Sequence, residues 1–251
     1  MSRPGETSAQ GMPGHQRAWA LAGQEHLSAA ERALVSLLAY RPALDVGVRF
    51  DPAPALAELT ALDLLPRPER QRSAQGRGWA SLALRNRGGR SMGSIEDDDG
   101  MQDQPLRWTA EADRCPQLRA LVEGLVEVER CGTIFAMTLA PHGEIAAHSD
   151  APTVEVESSL NLALSHPAGC QMRLGLRQGG EVGPDTLVAP FAAGRGLLLN
   201  VASWHHIENP STEPRVHVVV RTPWQRGALQ RAADGWLRAL LDGRDVHGIS
   251  P

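Results

Sequence analysis

Leu139-Ala-Pro-His-Gly-Glu-Ile-Ala-Ala-His-Ser-Asp150 follows an apolar run, Thr133–Leu139, and closes on a His and an Asp two residues apart. In an extended chain, residues two apart point to the same side. His148 and Asp150 can therefore face one metal ion together, through an imidazole nitrogen and a carboxylate oxygen. A third ligand from a later strand would complete a face of two His and one carboxylate, which suits iron(II) and leaves coordination positions open. His142 and Glu144 make a rival pair, but Pro141–Gly143 reads as a turn, where side chains need not share a face.

Downstream of Gly132 the chain breaks into short strand-like runs separated by Gly, Pro and polar turns: Thr133–Leu139, Leu160–Leu164, Gln171–Leu176, Gly196–Val201 and Val216–Val220. Regular short strands with turn signals predict a β-sandwich or barrel. Upstream, apolar residues at helical spacing predict a helix over 17–38, with Ser28 and Glu31 as a capping box. A strand at Val46–Phe50, a helix at Pro52–Leu65 and a strand at Trp79–Leu84 follow. Pro116 opens a helix running to about Glu129, with Leu118, Leu121, Val122 and Leu125 inward. Gly88–Gly100, with its Asp97–Asp99 triplet, reads as a solvated loop that lacks the spaced oxygen ligands of a calcium site.

These readings divide the chain into a disordered start (1–16), an N-terminal helical segment (17–45), the β domain (46–224) and a closing amphipathic helix and tail (225–251). Net charge is −4 over 251 residues, which gives no electrostatic case for nucleic acid or a membrane surface. All 25 cationic Lys and Arg side chains are Arg. Cys115, Cys131 and Cys170 are odd in number and form no CxxC pair, so neither a zinc knuckle nor a disulfide framework is expected. The first residues lack the apolar core of a signal peptide, and no apolar run approaches the ~20 residues of a membrane span. A soluble, cytoplasmic protein is the expectation; the sequence sets no oligomeric state.

The second stretch that bears on chemistry is Gly194-Arg-Gly-Leu-Leu-Leu-Asn-Val-Ala-Ser-Trp-His-His-Ile-Glu-Asn-Pro-Ser-Thr-Glu-Pro-Arg215. It runs from a strand, through adjacent histidines, across a polar turn, to an Arg that opens the apolar strand Val216–Val220. A guanidinium at the start of a buried strand needs an anion, since an unpaired buried charge is very costly. Its planar fork matches a carboxylate, whether of a ligand or of an ordinary structural salt bridge. His217 alternates with the inward positions of its strand and reads as a core or rim histidine.

Taken together, these residues resemble the aspartyl/asparaginyl β-hydroxylase family of iron(II)/2-oxoglutarate oxygenases. Leu139, Pro141, Ile145, His148 and Asp150 match that family's L-x-P-x-x-x-I-x-x-H-x-D pattern. His205, Asn209, Pro210, Ser211, Pro214 and Arg215 match its H-x-x-x-N-P-S-x-x-P-R pattern. Gly78-Trp79 through Arg85 and the Pro116 helix also correspond, and the likeness spans roughly Val46 to Trp224. The resemblance implies a jelly-roll, cupin-like double-stranded β-helix with flanking helices. It also implies His148, Asp150 and His205 as metal ligands, and Arg215 as the anchor for the far carboxylate of 2-oxoglutarate. His206 competes with His205, and the ten-residue distance to Arg215 favours His205. Where the family carries R-x-H-x-x-L, this chain has Ser159-Leu-Asn161-Leu-Ala-Leu164. Asn161 is therefore the candidate second contact to the cosubstrate, and Ser159 cannot replace a guanidinium.

The implied activity is that of a dioxygenase using Fe(II), 2-oxoglutarate and O2 to hydroxylate a C–H bond of an amino acid, free or in a peptide. Three other readings stay open on sequence grounds: desaturation of another small molecule on the same scaffold, a cupin-like barrel that binds without turnover, and a zinc hydrolase using His205-His206.

Overall fold

The computed structural model describes residues 29–65, 76–91, 104–150, 156–178 and 181–221. The expected segment 1–28 with its Ser28 cap, the acidic loop and the C-terminal helix lie wholly or largely outside these residues. Ten strands appear in chain order: β1 (Ala43–Arg49), β2 (Gly76–Arg87), β3 (Leu106–Trp108), β4 (Ile134–His148), β5 (Ser158–Ser165), β6 (Gln171–Gln178), β7 (Glu181–Val188), β8 (Arg195–Asn200), β9 (His205–Glu208) and β10 (Arg215–Arg221). Among the described residues four helices accompany them: α1 (Ala29–Leu38), α2 (Ala53–Ala61), α3 (Ala110–Asp113) and α4 (Pro116–Leu125).

The strands pair antiparallel in the order β1-β8-β5-β10-β4-β9-β6-β7, with β2 on the other side of β4 and β3 beyond it. The 15-residue β4 joins the two halves of this wall. Its first part, Ile134–Leu139, pairs with β10, and its second, Glu144–His148, pairs with β9. The chain is thus a jelly-roll double-stranded β-helix with helices packed outside, as expected.

Side chains along β4, β5, β8 and β10 alternate between two apolar environments, because successive residues of a strand face opposite ways. Ile134, Leu160, Leu162, Leu198, Val216, Val218 and Val220 pack outward against Leu34, Leu38, Leu59, Leu118 and Val122 of the helices. Leu139, Ile145, Met172, Leu174, Leu197, Leu199 and Ile207 fill the interior between the strands. Every residue of β10 is buried, so its inner face, Arg215, His217, Val219 and Arg221, is enclosed although three of the four are polar.

Several boundaries differ from the sequence expectations. Pro141–Gly143 does not reverse the chain but forms a kink within β4, where residues 140–143 face the single Gly78 of β2. His142 takes φ +57 there, and a Cβ on Gly143 would meet Leu139 Cδ1 at 2.7 Å. The kink is held by Asn209, which is fully buried and donates from Nδ2 to the carbonyls of Leu139, Ala140 and Glu213. Its Oδ1 accepts from the Ser211 backbone N and hydroxyl, so one amide ties β4 to the β9–β10 turn. The strands β3, β7 and β9 went unforeseen. Two of them are only three or four residues long, and β7 holds a Gly and a Pro that an edge strand tolerates. The Pro116 helix stops at Leu125, with a 3-10 turn at Val128–Arg130.

Gly194, at the start of β8, has φ +78, and an added Cβ would lie 2.6 Å from the Phe50 carbonyl oxygen. Its N–H donates to Ala163 and its own carbonyl accepts from Phe50 N, so the backbone cannot withdraw. Gly194→Ala is expected to lower unfolding free energy by about 1–3 kcal/mol, read from urea denaturation. Among the described residues, no helix is long and apolar enough to cross a membrane.

Candidate active site

His148 ends β4 and His205 begins β9, and the two are cross-strand partners in the antiparallel ladder. Their rings lie 4.3 Å apart, centroid to centroid. Asp150 follows two residues on, its N–H donating to Val201 O while Ser149 Oγ donates to Ala202 O. These backbone ties dock the end of β4 onto the turn that leads into β9. One ligand atom from each of His148, Asp150 and His205 falls within 4.8 Å of the others.

The second nitrogen of each imidazole fixes its tautomer. His148 Nδ1–H donates to Ala146 O at 2.8 Å, and His205 Nδ1–H donates to Ser203 O at 2.9 Å. Both Nε2 atoms are thereby left to act as ligands, the arrangement usual for metal-binding His. Asp150 Oδ1 lies 3.1 Å from His148 Nε2. Burial opposes ionisation of Asp150, but the Arg221 charge and then the His148 hydrogen bond outweigh it and hold the carboxyl well below its ordinary range. Burial likewise opposes charge on His148, yet the Asp150 hydrogen bond and the Ala146 carbonyl raise its pKa. His205, enclosed completely, is pushed down by burial despite Asp150. Two neutral-capable imidazoles and a permanent carboxylate converging on one point fit a divalent cation of the iron type.

His206 points the opposite way, its Nε2 bonded to the exposed Glu144 Oε1 at 2.9 Å. Glu144 is thereby turned away from the cluster, and His142 is exposed on the kink. The strand's period of two, with β9 starting at His205, separates the adjacent histidines onto opposite faces.

The same cavity is lined by Arg215, Asn161, Ser159 and Arg221, with Trp79, Phe135, Met137 and Met172 supplying apolar wall. Arg215 is 2 % exposed, its Nε has no hydrogen-bond partner, and no acidic side chain among the described residues pairs with it. Among the described residues its side-chain hydrogen-bond partner is His217 Nδ1, at 2.8 Å. Burial pushes its pKa down to about 10, so it remains cationic at neutral pH. A buried guanidinium with spare donors facing a cavity fits a carboxylate-bearing ligand. Trp79 Nε1, buried in the same cavity wall, is also unpartnered. Asn161 Nδ2 donates to Ser159 Oγ at 2.8 Å, which leaves one amide proton and the Oδ1 for other partners.

Two polar residues of the site were not singled out from sequence. Arg221 Nη2 donates to Asp150 Oδ2 at 2.5 Å, so one oxygen of Asp150 faces His148 and the other is held by a guanidinium. Glu157 Oε1 lies 4.0 Å from Arg221 Nη1, and burial pushes the Glu157 pKa up to about 7 even with Arg221 pulling it down. The available signal was spacing: Arg221 is six residues after Arg215, hence on the same face of β10. Cys115, Cys131 and Cys170 are buried and unpaired, away from the cluster.

The family model described as aspartyl/asparaginyl beta-hydroxylase matches residues 55–223. No curated protein sequence matches the chain. Among solved structures, an oxidoreductase of the 2OG-Fe(II) oxygenase family from Burkholderia pseudomallei is 13% identical, covering 76% of this chain and 88% of that one at a TM-score of 0.44. A Trichoplax adhaerens prolyl hydroxylase, solved with a hypoxia inducible factor peptide fragment, is 12% identical over 82% of this chain and 90% of its own, at 0.45. A Pseudomonas putida prolyl-4-hydroxylase is 15% identical over 78% and 98%, at 0.41.

Proposed function

This chain belongs to the aspartyl/asparaginyl β-hydroxylase family, and from that footing we propose that it hydroxylates an unactivated C–H bond of an amino acid, free or within a peptide. It is a 2-oxoglutarate-dependent oxygenase, and its cofactor and cosubstrates are Fe(II), 2-oxoglutarate and O2. In this reading His148, Asp150 and His205 hold the metal, and Arg215 grips the far carboxylate of 2-oxoglutarate. The observation that carries it is a buried guanidinium that pairs with no acidic side chain among the described residues, in the same cavity as a His-Asp-His cluster.

When bound, the iron, 2-oxoglutarate and O2 supply the oxidising power for C–H hydroxylation, with succinate and CO2 as by-products. The protein's own contributions are geometric. The Ala146 and Ser203 carbonyls keep both ligand imidazoles in the Nδ1–H tautomer, and Arg221 keeps Asp150 ionised and turned. Arg215 orients one end of the dicarboxylate, with Asn161 as a second polar contact. Trp79, Phe135, Met137 and Met172 exclude water and leave an apolar wall against which a substrate side chain can be placed.

The test is succinate release from 2-oxoglutarate, with iron and ascorbate, over a panel of free amino acids and short peptides. A slow basal rate is expected, rising with one class of substrate, whose product gains one oxygen atom by mass. A product that loses two hydrogens instead would replace hydroxylation with desaturation. Absence of succinate across the panel, together with no binding of 2-oxoglutarate, would remove the proposal.

A further inference from the structure

Behind Arg215 runs a buried chain of hydrogen bonds that ends on the protein backbone. Arg215 Nη2 lies 2.8 Å from His217 Nδ1, His217 Nε2 lies 3.1 Å from His166 Nδ1, and His166 Nε2 lies 3.1 Å from the Cys170 carbonyl oxygen. A guanidinium only donates and a carbonyl only accepts. From the arginine end, His217 Nδ1 must accept and its Nε2 must carry the proton. From the carbonyl end, His166 Nε2–H must donate, and its Nδ1 is free to accept from His217. The two ends dictate the same assignment. The other filling, with His166 donating from Nδ1, would strip His217 of both protons.

We propose that His217 and His166 are positioning residues that hold one edge of the Arg215 guanidinium and leave its remaining donors aimed at the distal carboxylate of 2-oxoglutarate; this rests on Arg215 being the anchor of that carboxylate. His217 is fully buried on the same inner face of β10 as Arg215, two residues on. His166 follows β5, and Cys170 lies in the turn before β6, where Cys170 N–H donates to Pro167 O. The chain thus fastens the arginine of one strand to the connection between two others. Phe191 packs against the relay, with its ring centroid 4.6 Å from that of His217, 5.4 Å from that of His166 and 5.9 Å from Arg215 Cζ. Burial, then the nearby Arg215 charge, pushes His166 down to about 4 and His217 well below the ordinary histidine value. Both rings are consequently neutral at pH 7, as the directed hydrogen bonds require.

The test has a spectroscopic arm and a binding arm. In protein with 15N-labelled histidine at pH 7, long-range 15N–1H correlations should show both His166 and His217 as the Nε2–H tautomer. A proton on Nδ1 of either ring would overturn the relay without any substitution being made. Calorimetric titration of 2-oxoglutarate into Mn(II)-loaded protein forms the second arm. His217→Leu should weaken binding by about 10- to 100-fold, since a hydrogen bond to a charged donor is lost. His217→Gln should stay within about threefold of the parent, because its carbonyl accepts and its amide donates in the same sense. Mn(II) affinity should be unchanged in both. If Arg215→Met binds 2-oxoglutarate like the parent, the anchor role falls; if Arg215→Met loses binding but His217→Leu does not, only the relay falls.

Discussion

An Arg215→Met variant should need about 100- to 5,000-fold more 2-oxoglutarate for half-maximal succinate release, while its iron content and fold remain those of the parent. Truncating one partner of a buried, hydrogen-bonded charge pair costs about 3–5 kcal/mol, and this pair would form only with the cosubstrate. Among the described residues Arg215 has no acidic partner, so removing it breaks no salt bridge there. Two opposing effects act on stability. Replacing a buried cation by an apolar side chain of similar length favours the folded state by about 1–4 kcal/mol. Leaving His217 Nδ1 without its donor costs about 1–3 kcal/mol. Unfolding free energy without ligand should therefore stay within about 3 kcal/mol of the parent. Saturating 2-oxoglutarate should stabilise the parent, by about 2.7 kcal/mol at 100 times its Kd, and the variant hardly at all. A variant that lost iron or heat resistance to the same degree as cosubstrate affinity would mean that Arg215 is a structural residue.

The second large effect is expected at Asp150. Asp150→Ala should reduce iron(II) affinity by more than about 100-fold, beyond the 10- to 100-fold typical of losing a residue that merely supports a ligand. The reason lies in Arg221, whose Nη2 sits 2.5 Å from Asp150 Oδ2. Removing the carboxylate deletes a ligand and also takes the Asp150 charge away from Arg221, leaving a cation beside the place where another cation must bind, with Glu157 at 4.0 Å. In the parent, burial and, to a smaller extent, the Asp150 charge push the Glu157 pKa up to about 7; removing Asp150 relieves only the smaller cause, so Glu157 is a weak substitute. The double variant Asp150→Ala/Arg221→Met should accordingly recover several-fold in iron affinity over Asp150→Ala alone, by anaerobic titration. Equal affinities for the single and double variants would show that Arg221 does not act on the metal position.

The parts of this site legible in the sequence were those set by short-range periodicity. His148 and Asp150 share a side because two residues separate them on an extended chain. Arg215 stood out because a guanidinium opening an apolar strand demands an anion. The ten-residue distance to Arg215 favoured His205 over His206, but the four-residue β9 gives no alternation to read; in the structure His205 is the ladder partner of His148 and His206 turns to Glu144. Asn209 and its neighbours were visible as a motif, but their physical role, satisfying the carbonyls freed by the β4 kink, required the kink to be seen. Arg221 looked like an ordinary strand end, and Glu157 an ordinary loop acid. Their burial together follows from β10 and β5 lying side by side deep in the wall, which no local stretch of sequence encodes.

Arg215 and Arg221 belong to one uninterrupted strand, so the two ends of the cavity are joined by covalent backbone rather than by separate loops. Six residues of extended chain span roughly 20 Å, and such a rod barely stretches. The guanidinium proposed to clasp the dicarboxylate and the one that steadies Asp150 are in effect two marks on a single ruler. In the proposed reading, the length of diacid the cavity accepts is therefore bounded by the pitch of the backbone rather than by the reach of a loop.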